Sequence, residues 1–102
     1  MSIDFSPHAE LDVENAVDEL TDGYGPALAL AFRARLTATV NKIAAMPLAF
    51  SLVEPPPPNY PGLRVLPITR FTARLIVYTP TDTGILIVRI LRAACDWHAT
   101  LQ

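Results

Sequence analysis

The sequence is poor in several residues at once: across 102 positions it has one cysteine (Cys95), one lysine (Lys42), two histidines (His8 and His98) and four glycines. A lone cysteine excludes an internal disulfide and favours a reducing compartment. His8 and His98 stand at opposite ends of the chain with no cysteine or carboxylate at ligand spacing, which argues against a metal site. Cys95 near His98 has the ingredients of a thiol nucleophile, but no third group orients the pair, and burial is the commoner fate of a single cysteine. There is no glycine-rich phosphate loop and no acidic pair on one predicted strand. No apolar run approaches the ~18 residues of a membrane span, and no basic cluster precedes an apolar N-terminal run. These absences point to a cytoplasmic α+β binding module that needs no cofactor.

What the chain does have is apolar surface. Hydrophobic residues make up 51% and charged residues 18%, too apolar for disorder and rather apolar for a monomer that works alone. The length fits one domain over residues 1–102. The greasiest stretch runs from Leu63 to Arg92 and turns at Thr79-Pro80-Thr81-Asp82-Thr83-Gly84. Its branched and aromatic runs read as strands ending in a β-hairpin. In the last strand, odd positions Ile85, Ile87 and Leu91 project to one face and even positions Leu86, Val88 and Ile90 to the other. Both faces are therefore apolar, and something must cover the second one.

Ahead of the sheet, Ser2 to Phe5 reads as an edge strand, and Ser6-Pro7 as a cap and first turn of a helix. Ala9, Val13, Ala16, Val17 and Leu20 form its apolar stripe, with Glu10, Asp12, Glu14, Asp18 and Glu19 outside it. Gly23-Tyr24-Gly25-Pro26 leaves room only for an antiparallel helical hairpin. The second helix, about Pro26 to Met46, has a core stripe of Leu28, Phe32, Leu36, Val40 and Ile43. Alanines at 27, 29, 31, 34, 38 and 45 leave its remaining surface small and smooth, through helix propensity alone or as a shallow groove for another helix. Pro47 ends it. Pro55-Pro56-Pro57-Pro58 and Pro61 make Leu48 to Gly62 a stiff, exposed spacer. After the hairpin, Asp96 is positioned to cap a short turn that tucks Trp97 and Leu101 against the sheet.

Charge is divided along the chain. Leu63 to Arg92 carries Arg64, Arg70, Arg74, Arg89 and Arg92 against Asp82 alone, whereas eight acids precede it against Arg33, Arg35 and Lys42. Arginine without lysine on a sheet suits planar contacts to carboxylate or phosphate; equally, these arginines can edge the sheet and pair with the helical acids.

Tyr60-Pro61-Gly62-Leu63-Arg64-Val65-Leu66-Pro67-Ile68 with Arg70-Phe71, then Leu75-Ile76-Val77-Tyr78, then Ile87-Val88-Arg89-Ile90-Leu91, Ala93-Ala94 and Asp96-Trp97, occur in the order seen in the RelE/ParE family of type II toxin–antitoxin toxins, whose ParE branch the whole chain resembles. The resemblance implies an edge strand, then an antiparallel helical hairpin on a curved antiparallel sheet of three to four strands, then a short C-terminal turn or helix. It implies a toxin that inhibits DNA gyrase by binding, without chemistry or sequence-specific DNA recognition of its own, and that a ParD-like antitoxin neutralises. That antitoxin's arm would lie on Ala27, Ala31, Ala34, Ala38, Arg64, Arg70, Arg74, Ile76, Tyr78 and Arg89 and would supply the lid on the second apolar face. Arg92, Asp96 and Trp97 would meet the target. Two departures stand out, since Arg92 replaces the branch's usual histidine and Cys95 its usual arginine. The resemblance leaves two alternatives: a RelE-like ribosome-dependent endoribonuclease using Arg64, Arg70, Arg74 and Arg89, and a decayed toxin that only binds its antitoxin.

Overall fold

The computed structural model describes residues 2–94 and 97–101, with the side chain of His98 left aside. Asp96 and Cys95 lie outside the described residues, and with them the cap, target-contact and thiol readings. The elements run β1 (Ser2–Phe5), α1 (Pro7–Tyr24), α2 (Pro26–Ala45), β2 (Ser51–Leu52), β3 (Arg64–Ile68), β4 (Phe71–Pro80), β5 (Gly84–Arg92) and α3 (Trp97–Thr100).

Local signals set the helices. The Ser6 side chain accepts from the Ala9 N–H at 3.0 Å and Pro7 opens α1, so an otherwise orphaned donor at the helix start is satisfied. Gly25, with φ of 99°, separates α1 from α2 by a single residue and supplies a left-handed backbone that a side chain would strain. Phe32, Leu36, Val40 and Ile43 of α2 are buried as their spacing predicts; Ala29 is buried too, so it leaves the smooth outer face that Ala27, Ala31, Ala34 and Ala38 form.

Among the described residues the sheet has five strands in the order β1-β5-β4-β3-β2. It is mixed rather than wholly antiparallel, because β1 pairs parallel to β5, Ser2 opposite Gly84 and Phe5 opposite Ile87. The chain between them, the helical hairpin followed by β2, β3 and β4, is the long connection that a parallel pair requires. Gly84 is needed for this pairing, since a Cβ there would stand 1.8 Å from the Ser2 carbonyl oxygen.

Beyond Ile87, where β1 ends, α1 takes over the exposed edge of β5. Ser6 Oγ donates to the Val88 carbonyl at 2.7 Å, and Asp12 Oδ2 accepts the Ile90 N–H at 2.9 Å. The register slips here: Tyr78 faces Ile87, but Val77 faces Arg89, leaving Val88 as the extra residue of a bulge. The bulge exchanges the faces of the residues that follow it. Ile90 joins Ile85 and Ile87 under the helices, while Leu91 joins Leu86 and Val88 on the opposite side, reversing the expected placement of this pair.

The second apolar face is closed by the chain itself, against the expectation of a foreign lid. Val53 from the proline-rich strap, Leu63 immediately after it and Leu101 beyond α3 pack with Val77, Val88 and Leu91, and Trp97 and Val65 flank them. Val77 is fully buried and Val88 and Leu91 are 7% exposed. The strap is therefore more than a spacer. Its Ser51 and Leu52 pair with Val65 and Arg64, and Pro57 is buried, although Pro55, Pro56 and Pro58 are exposed.

Candidate functional site

Two polar clusters join α1 to the sheet. Asp12 and Glu19 lie seven residues apart, two helical turns, so they project on the same side of α1 as buried Ala9 and Ala16. Near the start of α1, Arg89 Nε donates to Asp12 Oδ2 at 2.8 Å and Arg89 Nη2 to Oδ1 at 3.1 Å, a two-pronged and largely buried pair. Its second duty, holding the Ile90 N–H, makes Asp12 a structural hub.

Toward the end of α1 the geometry changes. On β4 and β5 the pairs Ile76 opposite Ile90 and Arg74 opposite Arg92 lie on the same sheet face, so the buried row continues into two arginines. Like charges directly across a ladder repel, and Glu19 stands between them. Arg74 Nη2 donates to Glu19 Oε2 at 2.9 Å, and Arg92 Nη2 donates to the same oxygen. Hydrogen bonds from Arg74 and then Arg92 hold the Glu19 carboxyl below its ordinary pKa of 4.5, against an opposing desolvation. About half of the Glu19 side chain remains in solvent.

These three residues rim a cavity of about 440 Å³ whose other walls include Leu20, Tyr24, Phe71, Ala73 and Ala94. Behind it Phe71 packs edge-on against Phe32, ring centres 5.4 Å apart, and the Arg74 guanidinium lies 6.0 Å from the Phe32 centroid. Charged rim and apolar wall together suit a group that is anionic at one end and greasy at the other.

The remaining arginines serve other neighbourhoods. Arg64 Nη1 donates to the Phe50 carbonyl at 2.6 Å and to the Leu48 carbonyl at 3.3 Å; its cross-strand partner Tyr78 donates its hydroxyl to the Pro47 carbonyl at 2.6 Å. This pair clamps the loop after α2. Burial pushes the Tyr78 hydroxyl above its ordinary 10.0, and the nearby Arg64 charge opposes the shift. Arg70 is exposed in the two-residue β3–β4 turn with φ of 68°, beside Thr69, whose N–H bonds Thr39 Oγ1 at 3.2 Å. Ile76 and Tyr78 are completely buried under the helices, so they offer no surface to a partner, a correction to their expected place in a binding face. Ala27, Ala31, Ala34 and Ala38 are all exposed, with Leu30 beside them at 70% exposure. Trp97 is half-buried against the strap-side core, and Arg92 is exposed.

The structure thus unites Arg74 and Arg92 and scatters Arg64, Arg70 and Arg89. Of the cavity's lining, residue-by-residue reading offered only Arg74 and Arg92 as site residues and missed Glu19, Leu20, Tyr24, Phe71, Ala73 and Ala94. The usable signal was the surplus of acids on α1 facing a surplus of arginines on the sheet. Among the described residues no three metal-ligating side chains gather, and no helix is long and apolar enough to cross a membrane.

A family model described as ParE toxin of the type II toxin–antitoxin system parDE matches residues 3–97. The chain belongs to the ParE toxin family. No curated protein matches it. A solved structure described as the chromosomal ParDE TA system from P. aeruginosa is similar, with a TM-score of 0.72 and 23% identity over 90% of this chain and 95% of that one. At such identity the likeness speaks for the fold, which is the α+β arrangement of two helices on an open sheet described above. Membership of the ParE family therefore rests on the sequence match, and the shared architecture agrees with it.

Proposed function

We propose that this ParE-family chain is a cytoplasmic toxin that inhibits DNA gyrase by binding it, without catalysing a reaction, and that a ParD-like antitoxin neutralises it. The observation that carries the reading is the family match across residues 3–97. The disposition of the arginines supports it over a RelE-like nuclease. Of the four that would orient a phosphate backbone, Arg64 is tied to loop carbonyls, Arg89 to Asp12 and Arg74 to Glu19, while Arg70 stands apart on a turn. No shared centre results, and a general acid or base must reach its proton at hydrogen-bond distance. Tyr78 is buried and has its hydroxyl committed to the Pro47 carbonyl.

An antitoxin arm has an apolar seat available on the outer face of α2, where Ala27, Ala31, Ala34 and Ala38 permit close approach and Leu30 gives an anchor. Acidic residues in the arm would raise the association rate more than the affinity. The test is a supercoiling assay with purified chain and gyrase: cleaved DNA should accumulate, and adding the product of a neighbouring antitoxin reading frame should abolish it. Unaffected gyrase at high toxin excess would reject the reading, and messenger RNA cut on stalled ribosomes would replace it with the nuclease.

A further inference from the structure

We propose that the cavity rimmed by Arg74 and Arg92 is a receptor for an acidic side chain of a bound peptide, and that Glu19 occupies its anion position as a built-in competitor until the peptide displaces it. The inference rests on the reading of the chain as a toxin held by an acidic arm and names where one carboxylate of that arm would sit.

The two arginines are directly opposite in the β4–β5 register, and their guanidinium groups converge on a single oxygen, Glu19 Oε2. A carboxylate is thus the group this pair already accepts, and the planar arginine fork suits it. The tether is what makes Glu19 replaceable. It sits on a helix surface with half its side chain in solvent, its contact with Arg92 is an exposed ion pair of the kind readily exchanged for an equivalent one, and the more buried Arg74 stays in place to receive the incoming group. An incoming Glu or Asp restores the same hydrogen bonds and adds apolar contact, because Leu20, Phe71, Ala73 and Ala94 line about 440 Å³ beside the charges. Glu19 itself, anchored on the rim, does not fill that space. The same latch imposes selectivity: a neutral or basic side chain cannot replace what it removes, so the pair Arg74/Arg92 stays with Glu19.

The experiment is an NMR titration of the full chain with N-acetyl-Leu-Glu-Leu-amide, its Leu-Gln-Leu analogue and inorganic phosphate. The acidic peptide should shift the Phe71, Ala73 and Arg92 amides and bind about tenfold more tightly than the neutral one. Glu19→Gln should tighten the acidic peptide by about threefold to fivefold, the scale of one exposed competing pair, whereas Asp18→Asn on the same helix should not. Arg92→Lys, which keeps the charge and loses the fork, should weaken binding while leaving the thermal midpoint in place. Equal binding of both peptides, or equal gains from the two helix variants, would overturn the proposal; the latter outcome would mean a diffuse field. Phosphate binding as tight as the acidic peptide's would overturn the choice of carboxylate. Binding by a chain that leaves gyrase unaffected would keep this site and remove only the toxin reading.

Discussion

The two ends of α1 meet the sheet through acid–arginine contacts of the same chemistry and opposite character. Near the N-terminal end, Asp12 receives two bonds from Arg89 and one from the Ile90 N–H, with its side chain 14% exposed. Near the C-terminal end, Glu19 receives Arg74 and Arg92 on one oxygen beside an open cavity, with its side chain 48% exposed. Asp12 closes a gap in the backbone ladder at the bulge by accepting the Ile90 N–H. Glu19 holds the largely buried Arg74 and the exposed Arg92, and is itself half in solvent. A buried polar bond is costly to remove because its partners are left desolvated, whereas an exposed one is exchanged with water. One end of the helix is thereby fixed, and the other is available.

The sharpest way to break this contrast is Asp12→Ala. It takes both carboxylate oxygens from Arg89 and the acceptor from Ile90, so it should destabilise the fold by about 3 kcal/mol, read as a fall in the urea midpoint at unchanged slope. Asp12→Asn, which can still accept from Ile90, should lose less. If Asp12→Ala and Glu19→Ala shift the midpoint equally, the two ends are equivalent and the contrast fails.

Next in size is Gly84→Ala. Ser6 can serve α1 and the Val88 carbonyl only if β1 delivers it to the edge of β5, and β1 docks where Gly84 has no side chain. A methyl group 1.8 Å from the Ser2 carbonyl oxygen must push β1 away, at a cost of about 2 kcal/mol. Hydrogen exchange should then accelerate at Ser2 to Ser6 and at Ile87 while β3 and β4 stay protected. Exchange that accelerates uniformly would mean that β1 is not a separable edge.

These features differ in how far they could be read without coordinates. Ser6-Pro7, Gly25-Pro26 and Pro47 are local punctuation, and the helix limits follow them to within a residue or two. The hairpin turn near Asp82 and the buried stripe of α2 are equally local. The bulge at Val88 is not, because it depends on where β1 stops and α1 begins to supply bonds, both over eighty residues away in sequence. The same holds for the parallel pairing of β1. Two-sided hydrophobicity was legible in β5, but what covers the second side depended on the path of the proline strap, which brings Val53 and Leu63 over Val77. Of the candidate site, the charge imbalance between α1 and the sheet was visible, and pairing with helical acids was one of its two readings. Which acids serve follows from their seven-residue spacing beside Ala9 and Ala16, a helical argument that places Asp12 and Glu19 next to the buried stripe rather than on the far side with Glu14.

The smallest expected effect sharpens the contrast most. Glu19 has its folded pKa lowered below 4.5 by Arg74 and Arg92, so the folded chain keeps the carboxylate ionised where the unfolded chain begins to protonate it. The sign follows from linkage: a depressed carboxyl contributes stability that is complete above its unfolded value and disappears as pH falls through its folded one. The difference in urea midpoint between the natural chain and Glu19→Gln should therefore be constant at neutral pH, shrink below about pH 4.5, and vanish in strong acid. Added salt should erode it at neutral pH too, because the carboxylate and the Arg92 guanidinium are reached by solvent ions. A difference that resists salt would mean that Glu19 is held as firmly as Asp12, and a residue held so firmly could not give way to an incoming acid.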